Sequence, residues 1–97
     1  MRRGESVSRA IWDLVVDTLH DDVLEATVAT LGAGRVLRDP KDPDEPLLIG
    51  EEGFLVVRIW GRDPVAYARE VQRRVWGLRV VSTFERKAIE KEDRDGD

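Results

Sequence analysis

The chain has 97 residues and a formal net charge of −4 at pH 7, with 41% hydrophobic and 37% charged residues, which fits one globular domain large enough to fold without staples. It contains no cysteine, so disulfides, thiolate metal sites and cysteine nucleophiles are excluded. The acidic balance disfavours nonspecific binding to phosphate backbones, and no apolar run is long enough to span a bilayer.

Residues 1–8 are polar and read as a flexible end. Arg2 and Arg3 are followed by no apolar signal core, so a cytoplasmic location without membrane attachment is the expectation. Residues 9–18 permit two readings. As a strand, Ala10, Trp12, Leu14 and Val16 share one face, with Ile11, Asp13, Val15 and Asp17 on the other. As a helix, Val7, Ile11, Val15 and Leu19 make a stripe that continues to Leu31. An internal repeat favours the strand: Leu14-Val15-Val16 returns as Leu55-Val56-Val57, inside the clearer strand Phe54 to Trp60, which is rich in β-branched and aromatic residues.

A first helix is predicted from Asp21 or Asp22, where Asp22 and Glu25 have the spacing of a capping box. Leu24, Val28 and Leu31 form its buried stripe, and Gly32 or Gly34 ends it. A strand follows over 34–38. Segment 39–46 reads DPKDPDEP, and its prolines make it a protruding excursion rather than sheet interior. Residues 47–49 read either as a short separate strand or as the resumption of the second, and Gly50-Glu51-Glu52-Gly53 turns the chain into the strand 54–60. Asp63 and Pro64 open a second helix that runs to about Trp76 and stops at Gly77, with Ala68, Val71 and Val75 inward. A last strand covers 78–87, and 90–97 is a charged, flexible tail.

The order is βαββαβ, an α+β, ferredoxin-like arrangement with a four-stranded antiparallel sheet and two helices on one face. The single domain has its core at about 9–89. Right-handed crossovers place the first and third strands at the centre, expected to be parallel. Asp13, Val15, Asp17, Phe54, Val56, Arg58 and Trp60 then lie on the face away from the helices. Four apolar side chains, Val15, Phe54, Val56 and Trp60, are many to leave wet, so this face is the first candidate interface. The repeat makes Asp17 and Arg58 equivalent, and an ion pair between them is expected to fix register or partner choice.

The outer face of the second helix carries Arg69, Arg73 and Trp76 at helical spacing, a pattern able to grip an anion or a base. Helical pairing of Glu70 with Arg74, with Trp76 tucked under the next loop, is the favoured reading. His20, Asp21 and Asp22 are read as helix-start residues, not metal ligands, because consecutive side chains do not converge on one ion. Asp39, Asp42, Asp44 and Glu45 lack the spacing of a calcium loop. No serine sits in a nucleophile elbow, and Gly32-Ala33-Gly34 follows a helix instead of preceding one. No catalytic residue, cofactor-binding residue or metal ligand is assigned, and a non-enzymatic role is expected.

Residues 50–89 resemble the second half of the ferredoxin-like effector-binding (RAM) domain of leucine-responsive and asparagine-operon regulators. The matching features are Gly50-Glu51 before the apolar strand Phe54 to Ile59, Asp63 opening a helix, Tyr67 within it, and the run Gly77-Leu78-Arg79-Val80-Val81-Ser82-Thr83-Phe84. The resemblance implies dimers formed through the sheets and a small-molecule effector held between subunits, with Gly50, Glu51, Glu52 and Gly53 as the ligand-side loop. Glu52-Gly53 stands where that family has an aromatic and an acid, and no helix-turn-helix precedes the domain, so DNA binding is not implied.

The expectation is therefore a self-associating module, a dimer or higher, that senses a small molecule or acts as a scaffold. An alternative is an accessory or assembly subunit that docks on a different protein. A weaker one is an RNA-binding domain, favoured by aromatic residues on the sheet and opposed by the net charge.

Overall fold

The computed structural model describes residues 10–86, so the predicted flexible ends lie outside the described residues. Its first element settles the ambiguous segment: β1 is the strand Ile11–Asp17. The helix α1 spans Asp21–Leu31 and ends at Gly32, whose φ of 73° an L side chain would strain. Asp22 and Glu25 do not form the expected capping box. His20 takes the cap position without a side-chain bond, the Asp22 carboxylate accepts from the adjacent Val23 amide at 2.9 Å, and Glu25 is drawn outward to Arg38 at 2.6 Å. Asp21 and Asp22 still lie in the first turn, where the helix dipole favours them.

Next come the strand β2 (Gly34–Val36), a hairpin of β3 (Arg38–Asp39) and β4 (Asp42–Pro46), and the short strand β5 (Leu48–Ile49). The strand β6 covers Phe54–Trp60. The helix α2 covers Pro64–Arg74, with Asp63 as its cap accepting from Val65 N at 3.2 Å and proline in its first turn. It stops short of Trp76 because Val75 leaves helical geometry at φ −113°, its side chain fully buried. The strand β7 covers Arg79–Arg86.

The main sheet is antiparallel, in the order β2-β6-β1-β7, with β5 also on β6. It has five strands rather than four because the excursion splits one edge strand in two. Val36 opposes Val57 and Leu48 opposes Leu55, so the whole segment 37–47 is accommodated opposite the single residue Val56. Leu37 N donates to Val56 O, and Leu47 N to Leu37 O, both at 2.9 Å, closing the base of the excursion. Its prolines, which cannot donate to a ladder, stand in a two-stranded ribbon of their own.

The central strands β1 and β6 are antiparallel, not parallel as expected from the crossovers: Ile11 opposes Trp60 and Val16 opposes Leu55. Each helix returns the chain to the sheet in the direction of the strand before it, two places away. The place between is filled by a strand running the other way. Both helices cover one face, where Leu14, Val16, Leu55, Val57 and Ile59 pack against Leu24, Val28, Tyr67, Ala68, Val71 and Val75. At roughly 1.5–3 kcal/mol for each fully buried large side chain, this layer drives the fold.

Candidate functional site

Alternation along β1 and β6 sends Asp13, Val15, Asp17, Phe54, Val56, Arg58 and Trp60 to the face away from the helices. Neighbouring strands add to it. Asp13 opposes Phe84 and Val15 opposes Ser82 on β7, while Arg35 on β2 opposes Arg58. A bulge at Val81 separates the pair Val15–Ser82 from the pair Val16–Val80.

Val15 and Val56, expected among the wet residues, are each only 5% exposed. They face each other in the middle of the sheet. Phe54 is half-buried, and the accessible apolar side chains are Trp60 at 43% and Phe84 at 57%. The patch is thus smaller and nearer the rim than the sequence suggested, and its most exposed member, Phe84, belongs to β7.

The ion pairing also differs from expectation. Arg58 binds Asp13, not Asp17: Nε donates to Oδ1 at 2.8 Å and Nη2 to Oδ2 at 3.0 Å. In an antiparallel pair the residues matched by the repeat do not stand side by side, and the residue opposite Arg58 is Asp13. Asp17 pairs instead with Arg79 at 3.2 Å, and Arg86 approaches Asp13 at 3.6 Å. The bond to Asp13 raises the Arg58 pKa, partly opposed by burial and assisted by the carboxylate charge.

Beside this pair the β3–β4 hairpin and the sheet enclose a cleft of about 380 Å³, lined by Arg35, Leu37, Arg38, Pro40, Leu47 and Arg58, with Val36. Across the edge strand, a cleft of about 300 Å³ lies between α1 and β2, near Glu25 and Gly34. A shallower groove of about 510 Å³ lies on the outer surface, with Val23, Thr27 and Arg74 among its walls. The turn Gly50 to Gly53 lines none of these. It is a tight reversal, with Gly53 N donating to Gly50 O at 3.2 Å and both glycines at positive φ.

On α2, Glu70 pairs with Arg73 and, at 2.7 Å, with Arg74. These bonds, that of Arg74 first, hold the Glu70 carboxyl below the usual range. Trp76 is not tucked under a loop: it is 83% exposed, its ring 6.4 Å from that of His20. Asp39 and Asp42 accept from Lys41 N and Asp44 N at 3.0 and 3.3 Å, as turn-forming acids do. Within the core, the Tyr67 hydroxyl is buried without a hydrogen-bond partner among the described residues.

Arg35, Phe84 and Arg86 were not singled out from sequence. Period-two alternation marks Phe84 only once the β7 register is known, and the bulge at Val81 hides that register. No family model, curated protein or solved structure matches the chain.

Proposed function

We propose that this chain is a non-enzymatic, ferredoxin-like module that pairs with itself through the sheet face away from the helices and serves in sensing or scaffolding. The observation that carries the reading is the exposure of Trp60 and Phe84 beside the partly buried Asp13–Arg58 pair. Exposed aromatics next to such a pair form the kind of patch that protein interfaces bury. The strand order β2-β6-β1-β7, with two helices each skipping one place in the sheet, supports the ferredoxin-like assignment. The divided edge strand is its departure from the simple pattern.

Native mass spectrometry tests the pairing. The wild type is expected as a dimer or higher closed assembly, and Trp60→Asp and Phe84→Asp as folded monomers. A monomeric wild type overturns it. That result would favour the second reading, an accessory subunit docking on another protein, for which Leu19 and Trp76 provide further exposed apolar surface, at 90% and 83% exposure.

A further inference from the structure

We infer that the cleft between the β3–β4 hairpin and the sheet binds a small carboxylate with an apolar body. The inference deepens the sensing part of the reading above and rests on it. It does not depend on self-association, because one chain supplies every wall.

The chain carries a net charge of −4, yet this cleft is lined by three arginines and by no acid. The arginines are not equally committed. Arg38 is held by Glu25. Arg58 gives Nε and Nη2 to Asp13, which leaves Nη1 free of that pair. Arg35 makes no ion pair with any described residue. Yet Arg35 is the direct cross-strand partner of Arg58. Like charges opposite one another weaken a sheet, and an anion held between them removes that penalty.

A carboxylate matches the planar fork of a guanidinium. The remaining lining is apolar, chiefly Leu37, Pro40 and Leu47, and suits a short hydrocarbon body. A volume of about 380 Å³ lies within the usual range of small-molecule sites, roughly 300–1,000 Å³. The apolar wall is anchored by the backbone bonds Leu37 N to Val56 O and Leu47 N to Leu37 O, next to the cross-strand neighbours Arg35 and Arg58.

The test is titration of the full chain with hexanoate, followed by the arginine Nε–H resonances and by thermal melting. Hexylamine and inorganic phosphate serve as controls. Hexanoate is expected to shift the Arg35 and Arg58 signals saturably and to raise the melting temperature. Hexylamine should do neither, and phosphate should bind more weakly. Arg35→Gln should weaken hexanoate binding roughly ten- to hundredfold, the loss expected for one charged hydrogen-bonding partner. The Phe84→Asp variant should retain binding, whatever its oligomeric state.

No saturable shift up to about 10 mM hexanoate, roughly tenfold above a millimolar Kd, overturns the proposal. So does equal affinity in Arg35→Gln, or equal affinity for phosphate, which would remove the apolar half of the site. Binding lost in Phe84→Asp would move the site to the interface and overturn its assignment to a single chain.

Discussion

Arg58 holds Asp13 by two parallel hydrogen bonds, of 2.8 and 3.0 Å, across the two central strands. Because the two residues are direct cross-strand partners, a slip of one residue would send Arg58 into the core layer. The pair therefore specifies register as well as contributing energy.

Loss of one member should cost more than loss of both. Asp13→Asn keeps the shape and removes the charge, and should lower stability by about 1.5–3 kcal/mol, the scale of hydrogen bonds to charged groups. The double variant Asp13→Leu with Arg58→Met should recover much of that loss, since it leaves no unpaired charge. Urea unfolding of the three proteins measures this. A double variant no more stable than Asp13→Asn would show that the pair is not coupled.

Tyr67 should respond in the opposite direction. Its hydroxyl is buried without a partner among the described residues, and burial raises its pKa, a nearby Arg62 charge opposing the shift. Tyr67→Phe should be neutral or stabilising by up to about 1 kcal/mol. The raised folded value also sets a sign. The stabilising contribution of the neutral phenol is present below the unfolded tyrosine value of about 10 and is lost as pH rises above it through the folded value. The wild type should therefore lose stability at alkaline pH faster than Tyr67→Phe, and parallel curves from chemical denaturation would refute the assignment.

Gly34 is fixed by the same hydroxyl. A methyl group at Gly34 would lie 2.9 Å from Tyr67 Oη and from Ile59 Cγ2, and 3.2 Å from the Arg58 carbonyl oxygen. Gly34→Ala should cost about 1–3 kcal/mol through overpacking. In the Tyr67→Phe background that cost should shrink by at least about 0.5 kcal/mol, because neighbouring changes couple. An equal cost in both backgrounds, measured by thermal melts, would place the clash wholly on Ile59 and the backbone.

Excision of residues 38–47 should leave the sheet intact. Leu37 already donates to Val56 and Leu48 already opposes Leu55, so joining them yields one continuous edge strand with its alternation preserved. Stability should change by no more than about 1–2 kcal/mol, since loop closure depends weakly on length and the lost Arg38–Glu25 pair is exposed. Unfolding of the shortened chain, monitored by circular dichroism, would show that the hairpin is part of the core.

The local elements were legible in residues 10–86 because their signals are local. Asp63-Pro64 marks the start of α2, Gly32 the end of α1, and the β-branched runs at 14–16 and 55–57 mark the central strands. The prolines of 39–46 announced a departure from the main sheet, and the face shared by Asp13, Val15, Arg58 and Trp60 follows from alternation alone. Relations between strands were not legible. The repeat aligned Asp17 with Arg58, but chain direction and register pair Arg58 with Asp13 and Asp17 with Arg79. The bulge at Val81 determined that Phe84 joins this face, and the return of Leu47 to Leu37 brought Arg35 and Arg58 to one cleft. The sequence by itself determined where the two helices and the strand 54–60 lie and how side chains alternate within that strand, because backbone preference and side-chain period act within a few residues. Only the tertiary structure decided which charges meet and which aromatics remain wet, because those depend on hydrogen-bond register between segments far apart in the chain.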